Sequence, residues 1–197
     1  LIGDKQYFKQ WQKTNPYFGK KFSVLGDSIS TLEGCHPQGY KVFFKDEICK
    51  RTGVVKETDT WWGKVIRFFG GELLVNNSWS GSRVTMVPAN YSRYQEFDYA
   101  YDNMLKKLRR NYPSAEIWCC TLGVTEMSSN PYFEFPYEYC GMNIEAYNGV
   151  IRKKAKKHKG NIIDLYAENQ PYDTIDGTHP NKDGMNTLAK MIASSIL

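Results

Sequence analysis

Three residues, one near the start of the chain and two near its end, have the side chains of an acyl-transfer catalyst. Ser28 could act as a nucleophile, His179 as its general base, and Asp176 as the carboxylate that orients the imidazole. A carboxylate three residues before a histidine on a tight turn can reach Nδ1, which leaves Nε2 to accept a proton. The pair could equally do no more than cap the helix that follows.

The setting of Ser28 favours a catalytic role. The apolar run 22–25 predicts a short strand, and Gly26 allows the chain to bend sharply before Ser28. The hydroxyl would then lie at the edge of a sheet, where backbone N–H groups of the next turn could face a developing oxyanion. A serine here could instead cap a helix. Because a Gly-Asp-Ser turn and an Asp-x-x-His turn occur together, in the order Ser, Asp, His, we favour a catalytic triad.

The other two histidines have weaker claims. His158 lies among lysines near a predicted helix end, where we expect it to be hydrated and inert. His36 lies in a turn that could approach Ser28, and its neighbour Cys35 could serve as an alternative nucleophile. Adjacent side chains are poorly placed to hydrogen-bond to each other, so we disfavour a Cys35–His36 pair.

The elements that must position these residues follow from the hydrophobic pattern. We predict strands at 22–25, 72–76, 115–122 and 162–165, and helices at 60–69, 97–111, 142–159 and 182–197. Strands that alternate with helices indicate a parallel sheet covered on both faces, with ligands beyond the carboxyl ends of the strands. No repeat or linker divides the chain, so we expect an N-terminal arm, 1–20, and a single domain, 21–197.

In these segments the sequence resembles the SGNH (GDSL-like) hydrolase family. Gly26-Asp27-Ser28-Ile29-Ser30 resembles its first block, with Ser28 as nucleophile, and Asp176-Gly177-Thr178-His179-Pro180 resembles its last block. The segment 76–82 resembles the second block, whose glycine, here Gly81, shares the oxyanion hole with the N–H of Ser28. The resemblance implies a flavodoxin-like three-layer α/β/α sandwich around a central parallel sheet, and ester hydrolysis without a metal or other cofactor.

One block of the family has no counterpart. Its third block, Gly-x-Asn-Asp, follows a strand and supplies an asparagine to the oxyanion hole. About 15 residues, 82–96, separate Gly81 from the next predicted helix, and Asn90 has the wrong setting. Gly123-Val-Thr-Glu126 follows a strand but puts a glutamate at the donor position. Either the strand is deleted or the sequence omits a segment within about 84–96. We favour omission, because losing a central strand should cost more than the stability of a domain.

The predicted function is hydrolysis of small esters, acetyl groups among them, by a serine esterase through an acyl-enzyme. The substrate could be a small molecule or a carbohydrate ester, since aromatic residues that can stack on sugars are frequent: Trp61, Trp62, Trp79, Tyr132, Phe133, Phe135, Tyr137 and Tyr139. Ordinary core packing would explain them too. The alternative is a binding protein that kept the fold and lost turnover with the third block.

The charge distribution bears on partners. The net charge of +5 comes from 26 basic and 21 acidic residues, with a cluster in the segment 152–159. A nucleic-acid site is one interpretation, but a solvated helix face is favoured, so we expect no nucleic acid partner. No stretch approaches the roughly 18 apolar residues of a membrane span, so we expect no membrane partner. The oligomeric state stays open.

The five cysteines show no spacing typical of a zinc site. Free buried thiols are favoured, although a disulfide between Cys35 and Cys49 stays open. The first residues lack the apolar region that a signal peptide has. We therefore expect that a signal peptide is either absent or already removed. A cytoplasmic location is favoured, and a secreted one applies if a signal peptide was removed.

Overall fold

Strands and helices alternate in the computed structural model, which describes residues 5–84, 93–127, 138–139 and 142–197. The helices are α1 (Lys5–Thr14), α2 (Asp46–Thr52), α3 (Trp61–Phe69), α4 (Arg93–Asn111), α5 (Ile144–Lys157) and α6 (Lys182–Ile196). The strands are β1 (Lys21–Val24), β2 (Glu72–Asn76), β3 (Trp118–Cys120), β4 (Thr125–Met127), β5 (Glu138–Tyr139), β6 (Met142–Asn143), β7 (Asn161–Ile163) and β8 (Tyr172–Thr174).

The longer-range strand pairs are parallel. β1 pairs with β2, β3 with β7, and β4 with β8, whereas β5 and β6 form a short antiparallel ladder. In β1 and β2 the register shifts between Phe22 and Ser23, where Leu74 is the extra residue. Parallel pairing brings the carboxyl ends of partner strands to the same edge, so the segments after Val24 and Asn76 leave the sheet side by side.

Helices cover both faces of these strands. Cys119 of β3 and Ile162 of β7 pack against α4 and α5, whereas Cys120 and Ile163 pack on the opposite side with α3 and α6. Neighbouring residues of a strand point to opposite faces, so each short strand contributes to both cores. This arrangement agrees with the predicted α/β/α sandwich.

Local sequence signals fix the two helices that carry most of one core. Thr60 caps α3 by accepting the N–H of Gly63, and Gly70 ends that helix in the left-handed conformation, with φ of 68°. Asn181 caps α6 by accepting two N–H groups. Phe69 of α3 is fully buried, and burying one such side chain stabilises a fold by roughly 1.5–3 kcal/mol.

The predicted elements are largely present, with different bounds. The strand predicted at 115–122 is regular only at Trp118–Cys120, and the helix predicted to begin at residue 97 begins at Arg93. The prediction missed α1, α2, β4 and β8 among others. Helix α1 lies within the predicted arm, where the Gln12 side chain donates to the Arg67 and Phe68 carbonyls at the end of α3.

The segment 84–96, in which a counterpart of the third block was sought, lies largely outside the described residues. Residues 85–92, which include Asn90, are not described. The alternative donor segment, from Gly123, leads into β4, which pairs with β8. Of the helices in the described ranges, none is both long enough and apolar enough to cross a membrane.

Candidate active site

The first part of the site is the turn that follows β1. Asp27 accepts the N–H of Ile29 at 3.0 Å and so caps a short 3-10 turn, Ser28–Ser30. A Cβ at position 26 would lie 2.7 Å from Ser30 Oγ and 3.2 Å from Ser30 Cβ, so a side chain there would force Ser30 to shift. Glycine at 26 therefore lets the Ser28 turn pack closely against the end of β1.

The second part is the loop between β8 and α6. The N–H groups of Thr178 and His179 donate to Asp176 Oδ1 at 3.1 and 2.8 Å, and Gly177 has a positive φ of 83°. The backbone N–H of Ile175 donates to the His179 carbonyl at 2.9 Å, which closes the loop. The alternative in which Asp176 and His179 cap the last helix is wrong, because Asn181 caps it.

The structure brings Ser28, His179 and Asp176 together across a separation of 151 residues. Ser28 Oγ lies 2.8 Å from His179 Nε2, and Nδ1 of the same ring lies 2.7 Å from Asp176 Oδ2. With Nδ1–H donating to the carboxylate, Nε2 is left to accept the serine hydroxyl proton. This is the geometry expected of a nucleophile, a general base and an orienting carboxylate.

Asp176 is ionised in this environment. Partial burial alone would raise the pKa of its carboxyl, but hydrogen bonds from the His179 backbone, the His179 ring and the Thr178 backbone together lower that pKa. An ionised Asp176 holds Nδ1 protonated and favours the imidazolium that would form when Nε2 accepts a proton.

The third part is the second-block loop, residues 77–82, which follows β2. The Trp79 N–H and the Ser82 hydroxyl both donate to the Gly26 carbonyl, at 3.1 and 3.2 Å, so the loop is anchored beside the Ser28 turn. Gly81 has a φ of 80°, a conformation that favours glycine. The loop thus carries Gly81 to the edge at which Ser28 lies.

Several residues that support the Ser28 turn were not predicted from the sequence. The Ser30 carbonyl accepts from Trp62 Nε1 at 3.0 Å and from Asn76 Nδ2 at 2.9 Å, and Ser30 Oγ accepts from Trp61 Nε1 at 3.2 Å. The two tryptophans therefore belong to the support of this turn as well as to the core. Their aromatic pattern alone carried no signal for these hydrogen bonds.

His36 is a structural residue. Its Nδ1–H donates to the Asn76 carbonyl at 3.0 Å, and its Nε2 accepts the Leu32 N–H at 3.0 Å. Burial lowers the pKa of His36, although the bond to Asn76 opposes this effect. With both ring nitrogens engaged, His36 has no nitrogen left to activate Cys35, whose own thiol pKa is raised by burial and by Glu57. These contacts argue against the alternative cysteine nucleophile.

His158 is not hydrated as predicted. Its side chain is 13% exposed and donates from Nε2 to Asp102 Oδ1 at 2.9 Å. Asp102 lies on α4, 56 residues away, and no local pattern indicated that contact. Part of the basic cluster is likewise ion-paired: Lys154 contacts Asp98, and Arg152 contacts Asp164.

Cys35 and Cys49 are free thiols, as are Cys119 and Cys120, so the Cys35–Cys49 disulfide is wrong. Cys140 lies outside the described residues. Within the described parts of the chain, no group of three or more His, Cys, Asp or Glu side chains is placed to hold a metal ion.

One aromatic side chain, Trp79, lies on the second-block loop, and another, Tyr40, lies beside it. Trp79 is 44% exposed, and its ring centroid lies 5.1 Å from that of Tyr40, whose hydroxyl donates to Asn77. The aromatic residues 132, 133, 135 and 137 fall outside the described residues. An exposed tryptophan at the edge of a reactive site offers an apolar face to a ligand.

Comparison with known proteins supports the family resemblance. Residues 20–101, which include the Ser28 turn and the second-block loop, match the GDSL-like lipase/acylhydrolase family. No curated protein matches the chain in a sequence search.

Solved structures share the fold. A candidate GDSL-like lipase from Bacteroides uniformis superposes with a TM-score of 0.64 at 20% identity, covering 90% of this chain and 95% of that one. A family two carbohydrate esterase from Clostridium thermocellum, solved with cellohexaose, superposes with a TM-score of 0.59 at 14% identity. The match covers 92% of this chain and 65% of that one. An acetyl-xylooligosaccharide esterase from a Geobacillus species superposes with a TM-score of 0.57 at 15% identity, and the match covers 91% of this chain and 94% of that one. The fold class predicted from the sequence is therefore confirmed.

Proposed function

We propose that this chain, which resembles the GDSL-like hydrolases, is a carboxylic ester hydrolase that works through a serine acyl-enzyme. The observation that carries the proposal is the unbroken contact from Ser28 Oγ through the His179 ring to Asp176. Residues 21–197 would form the catalytic domain, preceded by the arm 1–20.

The mechanism follows from these contacts. His179 Nε2 takes the hydroxyl proton as Ser28 Oγ bonds to the ester carbonyl carbon, and the carbonyl π electrons move to the oxygen. The backbone N–H groups of Ser28 and Gly81 would stabilise this oxyanion. Collapse of the intermediate expels the alcohol, which takes the proton from the imidazolium, and water then releases the acyl group by the same route.

The substrate class that we favour is a small acyl ester, such as acetate, on a carbohydrate. Trp79 and Tyr40 form an aromatic pair on and beside the loop that carries Gly81, which suits the apolar face of a sugar ring. Two of the proteins with the same fold are named as carbohydrate or acetyl-oligosaccharide esterases, which is consistent with this choice.

Ser28→Ala tests the reaction class. We expect turnover of p-nitrophenyl acetate to fall on the order of 10⁶-fold with the far-ultraviolet circular dichroism unchanged, because alanine has no hydroxyl to attack the ester carbonyl. A fluorophosphonate probe should label the wild-type chain at Ser28 and leave the variant unlabelled. Wild-type turnover in Ser28→Ala would contradict the proposal, and an unlabelled wild-type chain without turnover would favour the binding-protein alternative.

Trp79→Ala tests the substrate class. We expect KM for an acetylated xylooligosaccharide to rise by about 2- to 12-fold, since stacking on a sugar face resembles other aromatic contacts of about 0.5–1.5 kcal/mol. KM for p-nitrophenyl acetate should stay within twofold, because that ester has no sugar to stack. Tyr112→Ala, at an exposed aromatic residue outside these segments, is the matched control. Equal KM values for wild type and Trp79→Ala on the oligosaccharide would refute the sugar-stacking role.

A further inference from the structure

The ring of Phe43 lies flat on the imidazole of His179. The two ring centroids are 3.5 Å apart, and the planes differ by 8°. Phe43 follows the His36 turn and precedes α2, and it has no place in the three blocks that resemble the hydrolase family. The mechanism above does not use this residue.

The geometry of this contact differs from the other aromatic contacts in the described parts of the molecule. Those have centroids at least 5.0 Å apart, and most are tilted or edge-on, as in the Phe43–Phe44 pair at 5.1 Å and 82°. Neutral aromatic rings prefer offset or edge-to-face contacts with centroids 4.5–7 Å apart. A cation, by contrast, is attracted to the face of a ring, where the quadrupole is negative. Close parallel contact therefore suits a charged imidazolium better than a neutral imidazole.

The backbone holds Phe43 in a fixed relation to the nucleophile. The hydroxyl of Thr31, which is fully buried, donates to the Ser28 carbonyl at 2.8 Å and accepts the Phe43 N–H at 2.9 Å. Leu32 and Phe44 form a parallel bridge one residue further on, and Phe44 is fully buried in a cluster with Met185 of α6. The Thr31 side chain thus joins the Ser28 turn to the segment that carries Phe43, whose ring covers His179.

We propose that Phe43 is a positioning residue for the general base. Its ring keeps the imidazole in the plane in which Nδ1 meets Asp176 and Nε2 meets Ser28, and its π face stabilises the imidazolium in the transition state. The proposal rests on the proposed function, because the imidazolium forms only when Ser28 gives its proton to Nε2. Asp176 contacts the ring edge and Phe43 its face, so the two act on the same charge from different directions.

Fluorination of Phe43 separates the π contribution from packing. 4-Fluoro-, 3,5-difluoro- and 3,4,5-trifluorophenylalanine, introduced only at position 43, weaken the negative ring face in steps with little change in volume. We expect kcat for p-nitrophenyl acetate to fall in the same order, by about 2- to 30-fold in total, as for a cation–π contact of about 0.5–2 kcal/mol. KM should stay within twofold, because the contact is made to the base and not to the substrate.

Two further variants control for packing. Phe43→Leu removes the π face and should lower kcat at least as much as full fluorination. Ile48→Ala creates a gap in the cluster that Phe43 packs against, and it should lower the melting temperature while kcat stays unchanged.

Each outcome decides the matter. A kcat that is the same for the whole fluorinated series, or a loss in Ile48→Ala equal to that in Phe43→Leu, overturns the role of Phe43. The proposed function stands in that case if Ser28→Ala is inactive. If Ser28→Ala retains wild-type turnover, the proposed function itself has failed.

Discussion

His179 and His158 each lie against a carboxylate, at 2.7 Å from Asp176 and at 2.9 Å from Asp102. Their side chains are also similarly buried, 17% and 13% exposed. The ring nitrogens are used differently. Asp176 takes Nδ1 of His179 and leaves Nε2 to Ser28, whereas Asp102 takes Nε2 of His158. Neither the distance nor the burial therefore distinguishes a candidate base from a structural histidine.

The two carboxylates, Asp102 and Asp176, also differ in the charged groups around them. Asp102 also contacts Lys157 at 2.8 Å and Lys154 at 3.8 Å. The hydrogen bond from Lys157 is the largest cause that lowers the pKa of Asp102 to about 2, with burial opposing it and His158 and Lys154 assisting. Asp176 instead receives backbone N–H groups, which fix its position without neutralising it with another side-chain charge. The first carboxylate joins two helices, and the second orients an imidazole toward a hydroxyl.

The largest effect that would test this comparison comes from exchanging each histidine for glutamine. His179→Gln should lower kcat on the order of 10⁶-fold, because Nε2 of His179 is the base that lies 2.8 Å from Ser28 Oγ and a glutamine amide cannot take the proton. His158→Gln should leave kcat unchanged, since its ring contacts Asp102 and not Ser28. Steady-state turnover of p-nitrophenyl acetate measures both. Similar losses in the two variants would remove the distinction.

A smaller effect is expected from the carboxylates. Asp176→Asn should lower kcat on the order of 10⁴-fold, because the amide can no longer hold Nδ1 protonated and stabilise the imidazolium. Asp102→Asn should keep kcat and lower the free energy of unfolding by about 1–2 kcal/mol, since cationic side chains lose their partner. Urea unfolding at pH 7 gives that difference. A catalytic defect in Asp102→Asn would contradict the structural role.

The stability difference should also depend on pH. Because the pKa of Asp102 is lower in the folded chain than in the unfolded one, its contribution is complete above pH of about 4 and is lost as the pH falls toward about 2. Wild type and Asp102→Asn should therefore converge in stability at the acid end of that range. A constant difference from pH 7 to pH 2 would show that the carboxylate charge is not involved.

Sequence reasoning succeeded where local pattern determines structure. The helical spacing ended by Gly70 gave α3, the apolar run before Gly26 gave β1, and Asp176 with His179 lies on the predicted polar turn. It failed for α1, which is polar in composition and is fixed by Gln12 contacts with α3, and for β8, which has only three residues. Helix α1 does have a helical spacing, because Phe8 and Trp11 lie on one face and contact Phe68 of α3, so its polar composition hid a signal that was present. Strand β8 is too short for a local period to mark it.

The same limit applies to the site. Ser28, Asp176 and His179 could be proposed as a set from their turns, because each turn has its own glycine and polar residues. Phe43 and His179 are 136 residues apart in sequence, and no motif accompanies the contact between their rings. The contact of His158 with Asp102 likewise had no sequence signal. Roles that arise only from packing between distant segments require coordinates.

The contact between Ser28 and His179 joins the first strand of the sheet to the segment that enters the last helix. These two atoms can meet only when the segment before α6 is held in place, and α6 packs on α3 and on β8. Under the proposed function, turnover would therefore report on tertiary structure: chains whose C-terminal helix is undocked would be inactive even where most of their secondary structure persists. Regain of the proposed esterase activity during refolding would mark the docking of this helix, later than the recovery of the circular dichroism signal.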